Sequence, residues 1–274
     1  MYKTAFVTCV KLGKSCIKSI IESGGKFDLL ITLEDEIDKD KSGRIYLDDI
    51  SKKFNIPLLK IKNINDEFTI NALKEYKIDW LFIIGWSQIA KKELLNIPKE
   101  GCIGMHPTLL PIGRGRASIP WAIIHGLDET GVTMFKLDEG VDTGDIIDQG
   151  HIILDDEIDA TELYQKVNDL HVELMKRNWN KIINNDLTLT KQEDKKSTYW
   201  PGRKPKDGEI TKNMSMLDAD RLVRATTKPY PGAFFIDNNK KIIIWSAEMS
   251  PVKGDIQLKD GYLKLKEYEV EIYE

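Results

Sequence analysis

Cysteine is scarce in this 274-residue chain, with three residues at positions 9, 16 and 102. Their wide spacing fits neither a metal site nor a disulfide framework, so no metal ligand set is expected and a reducing, cytoplasmic setting is predicted. No apolar run reaches the length of a membrane span, so no membrane partner is expected. The opening Met1-Tyr2-Lys3-Thr4-Ala5-Phe6-Val7 is too short and too strand-like for a signal peptide. There is no basic excess: 40 Lys and Arg stand against 44 Asp and Glu, for a net charge of −4. Phosphate-backbone binding draws on a concentrated basic surface, and here the lysines are interleaved with acids, so no nucleic-acid partner is expected. A Gly-x-Gly-x-x-Gly run after the first strand is also missing, which argues against a nicotinamide cofactor. Internal repeats and low-complexity tracts are absent.

Hydrophobic residues make up 41% and charged residues 31% of the chain, a globular composition for one large or two modest domains. Thr4–Val10 reads as a buried strand, followed by a helix to about Ser23 that Gly24-Gly25 stops. Strands are predicted at Phe27–Leu33, Pro57–Ile61, Asp79–Ile84 and Gly101–Met105. Helices are predicted at Tyr46–Phe54 and Asp66–Tyr76, and the charged run Glu34–Arg44 is expected to be a loop. Ser118–Gly126 reads as a helix, and Val132–Leu137 and Ile146–Ile153 as strands. Asp159 is a candidate N-cap for a helix to about Asn185, whose Leu163, Val167, Leu170, Leu174 and Trp179 recur at helical spacing as a core stripe. This alternation predicts an α/β fold with a doubly wound, mostly parallel sheet.

The character changes after Lys191. A helix near Asp218–Thr227 and short alternating segments at Lys241–Trp245 and Gly261–Lys266 predict a small β-rich C-terminal region. The expected organisation is a catalytic domain over residues 1–190 and a smaller domain over 191–274.

The densest chemistry lies at 101–145. An apolar strand delivers His106 to its C-terminal end, where ligands bind in open α/β sheets, and a later loop carries Asp142 and Asp145. A histidine beside a carboxylate is a general-base pair, although an isolated histidine in such a place is more often a core residue satisfied by a backbone carbonyl. Gly113-Arg114-Gly115-Arg116 places two arginines on a pliable loop, where they can grip phosphate or remain solvated surface. Lys14, after Gly13 at a predicted helix start, is a weaker anion candidate.

Gly104-Met105-His106-Pro107-Thr108-Leu109-Leu110-Pro111, followed by Gly140-Val141-Asp142-Thr143-Gly144-Asp145, resembles the paired motifs of the N10-formyltetrahydrofolate-dependent formyltransferases. Asp142 follows His106 by 36 residues (142 − 106), as in that family. Arg203-Lys204-Pro205-Lys206-Asp207-Gly208-Glu209-Ile210 and Leu222-Val223-Arg224-Ala225-Thr226-Thr227-Lys228-Pro229-Tyr230-Pro231-Gly232-Ala233 are similar to the nucleotide-sugar branch. The resemblance implies a Rossmann-like formyltransferase fold and N10-formyltetrahydrofolate as co-substrate. It implies a nucleotide-linked (dTDP or UDP) amino-dideoxysugar as acceptor, for surface glycan synthesis, and a homodimer. His106 is then the base, and Asp142 holds its tautomer and steadies its charged form.

The resemblance also implies cofactor contacts from Trp86, Ser87, Gln88, Ile89, Thr108, Leu109, Leu110, Pro111, Asp138 and Val141. Acceptor contacts are implied for Arg114, Arg116, Trp200, Arg203 and Tyr230. The family's oxyanion-donating Asn falls on Gly104, and no asparagine occurs between residues 97 and 167. Gln88 is the preferred substitute, with Ser87, Thr108 or a backbone N–H near Gly104 as others. Methionyl-tRNA formyltransferase is the alternative activity; the acidic chain and a C-terminal region short for a tRNA-binding barrel argue against it. The glycine also motivates a folate-binding pseudoenzyme or a formyl-folate hydrolase.

Overall fold

Thr4–Val7 (β1), Leu29–Leu33 (β2), Leu58–Ile61 (β3) and Trp80–Ile84 (β4) alternate with the helices Lys11–Glu22 (α1), Asp48–Phe54 (α2) and Glu67–Tyr76 (α3) in a computed structural model that describes residues 2–39 and 43–272. β1, β2 and β4 are buried along their whole length, as strands covered on both faces must be. There follow Lys92–Leu95 (α4), Gly101–His106 (β5), Arg114–Gly115 (β6), Ser118–Ile124 (α5), Glu129–Lys136 (β7), Ile146–Ile153 (β8) and Ala160–Ile183 (α6). The main sheet runs β3-β2-β1-β4-β5-β7-β8. Its first four pairings are parallel, and β5 pairs antiparallel with β7. The mostly parallel α/β sheet expected from the alternation is present. Part of the charged loop expected over Glu34–Arg44, residues 40–42, lies outside the described residues.

The stripe on α6 is core: Leu163, Val167, Leu170, Leu174 and Trp179 are all buried. Trp179 stacks on Phe82 and meets Phe27 edge-on, with ring centroids 5.8 and 5.2 Å apart. Asp159 caps α6, its Oδ1 accepting from the Glu162 N–H at 2.9 Å, which satisfies one of the orphan donors of a helix start.

Tyr199–Trp200 (β9), Met216–Thr226 (α7), Ala233–Asp237 (β10), Lys240–Ser250 (β11), Ile256–Gln257 (β12) and Tyr262–Ile272 (β13) complete the chain. β9 pairs with β6, and a second sheet runs β10-β11-β13-β12, antiparallel throughout. β11 and β13 are eleven residues each, about twice the predicted length. Beyond Trp245, β11 is only partly buried and mostly polar, and beyond Leu265, β13 is exposed with Glu at alternate positions, so neither end carries a buried-strand signature. α7 packs Ala219, Leu222 and Val223 against Ala233, Ile244 and Leu263 of that sheet. The chain forms two compact units: residues 1–114, 131–151 and 167–199, and residues 115–130, 152–166 and 200–274. The second therefore draws in α5 and the start of α6 besides the C-terminal segment. Among the described residues, no helix is long and apolar enough to cross a membrane.

Candidate active site

β5 sits between β4 and β7 and ends on His106, which is 7% exposed. Its Nε2 lies 2.7 Å from the Gly113 carbonyl. A carbonyl only accepts, so Nε2 carries a proton. The neutral ring therefore presents its basic nitrogen at Nδ1, which lies 3.6 Å from Asp142 Oδ2. The pair expected from spacing is assembled, but with a different division of labour. The Gly113 carbonyl, not Asp142, holds the tautomer, and the carboxylate faces the nitrogen that gains charge on protonation. A separation of 3.6 Å is too long for a direct hydrogen bond; it becomes a charge contact when the ring is protonated. Burial pushes His171, on α6, down to about 4 against the pull of its hydrogen bond to the Val167 carbonyl. His171 is thus neutral near pH 7.

Asp142 rides on a loop built by close approach. A Cβ on Gly144 would lie 1.7 Å from the Lys136 carbonyl oxygen, so only glycine lets the loop return to β7. Asp142 itself adopts a left-handed backbone, φ 55°, which Asp tolerates better than most residues. Gln192 secures the loop: its Nε2 donates to the carbonyls of Asp142 at 2.9 Å and Gly144 at 2.7 Å. Its Oε1 accepts from Arg114 Nε at 3.1 Å and Nη2 at 2.8 Å. The Arg114 guanidinium, 2% exposed, also donates to Asp194 at 2.8 Å and the Tyr199 hydroxyl at 3.0 Å. Arg114 as a phosphate-gripping side chain is therefore corrected. Four of its five N–H donors are engaged within the protein, where a buried guanidinium must find acceptors. Lys14 is likewise committed, pairing with Asp49 at 2.8 Å and donating to the Tyr46 carbonyl.

Gly104 lies two residues before His106 and so shares its face of the sheet. A Cβ there would meet Leu137 Cδ2 at 2.7 Å and Phe135 at 3.4 Å. The volume an Asn side chain would take is filled by Leu137. Gln88 as the replacement oxyanion donor is also corrected: its Oε1 accepts from the Ile64 N–H at 2.8 Å and its Nε2 donates to the Lys62 carbonyl at 2.9 Å. Thr108 differs, because its hydroxyl is fully buried and has no hydrogen-bond partner among the described residues. Its carbonyl accepts from Thr133, which also receives the Leu110 N–H and an N–H of Gln149.

Leu110 is buried, whereas Val141 and Ile89 are 46% and 69% exposed. Trp86 packs on the core beneath β4 with Leu137, and Ser87 is exposed beside it. Asp138 accepts from Thr143 and the Gly140 N–H. A cavity of about 420 Å³ opens between Lys92, Leu95 and Asn96 on one side and Leu137, Asp138 and Gly140 on the other.

In the second unit, Arg203 lies over the Trp121 ring at 4.9 Å, Trp121 stacks on His125 at 5.1 Å, and His125 meets Trp200 at 5.6 Å. Burial lowers the Arg203 guanidinium from its ordinary range, opposed by Asp207. Arg116 is exposed, and its backbone N–H donates to the Trp200 carbonyl at 3.0 Å. Tyr230 is half-buried, and burial pushes its hydroxyl above the usual phenol range. Among the described residues, no group of three or more His, Cys, Asp or Glu side chains is placed to hold a metal ion.

A model of the formyl transferase family matches residues 25–178, and one of the formyl transferase C-terminal domain matches residues 203–270. The chain belongs to the formyl transferase family. This formyl transferase is 34% identical to methionyl-tRNA formyltransferase from Thermodesulfovibrio yellowstonii, over 85% of this chain and 76% of that protein. It is also 34% identical to the bifunctional polymyxin resistance protein ArnA of Wigglesworthia glossinidia brevipalpis, over 87% of this chain and 36% of that one. A 4-N formyltransferase structure from Francisella tularensis is similar at 27% identity and a TM-score of 0.70, covering 86% of this chain and 93% of that one. An N-formyltransferase from Helicobacter canadensis, in complex with folinic acid and dTDP-3-aminofucose, shares the fold at a TM-score of 0.73 and 20% identity, over 98% of this chain and 100% of that one.

Sequence reasoning missed Gly113, Leu137, Gln192, Trp121 and His125 in this formyl transferase. Only Gly113, inside the Pro-Ile-Gly-Arg-Gly-Arg loop, carried a local signal. Gln192 sits in a polar stretch indistinguishable from surface, and Leu137 reads as the end of a strand.

Proposed function

We propose that this chain transfers a formyl group from N10-formyltetrahydrofolate to the amino group of a dTDP- or UDP-linked amino-dideoxysugar. The observation that carries this reading is the His106 ring, with Nε2 pinned on the Gly113 carbonyl and Nδ1 3.6 Å from Asp142. The neutral amine attacks the formyl carbon and Nδ1 takes a proton from it; Asp142 stabilises the imidazolium. The C–N10 bond then breaks, and the same proton passes to N10. The formyl oxygen needs a donor as its charge develops. Gln88 is committed elsewhere; the Thr108 hydroxyl, without a partner among the described residues but covered by protein, is the proposed donor and must turn towards the formyl oxygen to act. The 420 Å³ cavity beside Leu137 and Asp138 is the proposed seat of part of the folate, and Arg116, Trp200, Arg203 and Tyr230 are the proposed acceptor contacts. The resemblance also supports a homodimer, which sedimentation reads directly.

A sugar acceptor is favoured by the resemblance of residues 203–210 and 222–233 to the nucleotide-sugar branch and by the acidic balance of the chain. Methionyl-tRNA is the second reading, favoured by curated relatives of that name at 29–35% identity. Tetrahydrofolate release from N10-formyltetrahydrofolate is followed with dTDP- and UDP-amino sugars, with methionyl-tRNA, and with no acceptor. Sugar-dependent release supports the proposal, and tRNA-dependent release replaces it with the second reading. Acceptor-independent release indicates a hydrolase; no release indicates a folate-binding pseudoenzyme.

A further inference from the structure

The 192–199 segment reaches both partners of the His106 ring. On one side Gly113, whose carbonyl takes the Nε2 proton, donates its N–H to Thr198 Oγ1 at 2.8 Å, while the Arg114 N–H goes to the Thr198 carbonyl at 2.9 Å. On the other side Gln192 holds the carbonyls of Asp142 and Gly144. The Gln192 amide can face only one way. A guanidinium has no acceptor, so the two Arg114 contacts require Oε1 there, which leaves both N–H donors for the Asp142 loop. We infer that Gln192, oriented by Arg114, is a positioning residue that fixes the Asp142 carboxylate against His106, and that residues 192–199 form a strap setting both contacts of the ring. The inference rests on the reading of His106 and Asp142 as the catalytic pair.

Gln192→Glu separates this role from packing. The carboxylate keeps the shape and the Arg114 partner but turns an acceptor, in place of a donor, towards two carbonyl oxygens. In full-length 15N-histidine-labelled protein, the pH at which the His106 ring protonates is measured in four forms: wild type, Gln192→Glu, Asp142→Ala and the double variant. The shift caused by Gln192→Glu in wild type should differ by about 0.4 pH unit or more from its shift in Asp142→Ala. Equal shifts mean that Gln192 acts on the ring without passing through Asp142, and overturn the inference. The same four proteins are assayed with N10-formyltetrahydrofolate and dTDP-3-aminofucose, which yields a KM-against-kcat split. Gln192→Glu should lower kcat about 10- to 100-fold, as small misplacements do, with the KM for the donor nearly unchanged. If Asp142→Ala keeps wild-type kcat, the reading of the pair fails. If Asp142→Ala loses kcat and Gln192→Glu does not, the strap alone fails.

Discussion

Gly104→Asn restores the side chain that the family motif carries, and the structure says that it will not fit alone. Its Cβ would enter 2.7 Å from Leu137 Cδ2, inside any real carbon–carbon contact. Leu137 is half-buried and packed on the core cluster under β4 and β5, so it can move only by disturbing that packing. Overpacking of this kind costs about 1–3 kcal/mol, and in a chain of this length each kcal/mol lowers Tm by roughly 2–4 °C. Gly104→Asn should therefore melt several degrees lower without gaining rate. Leu137→Ala vacates the volume, and the pair should be more stable than the two single changes sum to. In the double variant the amide occupies the face that carries His106. If turnover is limited for want of a second oxyanion donor beside Thr108, kcat should rise by at least tenfold, since one such donor is worth about 100- to 1,000-fold in comparable sites. Thermal melts and acceptor-dependent tetrahydrofolate release on the four proteins decide it. Strictly additive stabilities would show that Gly104 and Leu137 do not share one volume, and an unchanged rate in a well-folded double variant would show that the donor is not limiting.

Other outcomes follow from single groups. Thr108→Val removes a buried hydroxyl without a partner among the described residues, so stability should hold or rise while kcat falls about 100-fold; unchanged kcat would remove Thr108 as oxyanion donor. His171 takes up its proton near 4 in the native state and near 6.5 when unfolded. Its contribution is therefore complete above about 6.5 and is lost as pH falls towards 4, amounting to roughly 3 kcal/mol. Urea midpoints of His171→Asn against wild type over that window should show a shallower slope; parallel slopes would contradict the burial argument. Burial pushes the Cys16 thiol far above its ordinary range and Cys102 up to about 12, so native protein at pH 8 should resist a thiol-specific disulfide reagent until it is unfolded. Rapid labelling of either thiol in the native state would contradict this.

The chain announces its scaffold because burial leaves a periodic trace. β1, β2 and β4 appear as apolar runs, α6 as a stripe, and Asp159 as a cap, all within a few residues of the groups they serve. The pairing of His106 with Asp142 was legible for a different reason: the two motifs that carry them, 36 residues apart, resemble those of the formyltransferase family. What stayed hidden depends on partners far along the chain. Arg114 looked free because its acceptors, Gln192 and Asp194, lie 78 and 80 residues away. Gln88 looked available until the Lys62 carbonyl and the Ile64 N–H claimed both ends of its amide. The tautomer went to Gly113 because a backbone carbonyl has no sequence signature. β11 and β13 run longer than expected because beyond Trp245 and Leu265 they are largely exposed, where Ser246, Glu248 and the alternating Glu267, Glu269 and Glu271 leave no continuous apolar run.

The most direct test compares kcat in His106→Gln and wild type, with acceptor-dependent tetrahydrofolate release as the readout and circular dichroism as the control on folding. Proton transfer by a positioned base contributes about 100- to 10,000-fold, so a correctly folded His106→Gln should lose at least about 100-fold in kcat, and Asp142→Asn should lose in the same direction by less. A folded His106→Gln with wild-type kcat would contradict the assignment of the proton to this ring.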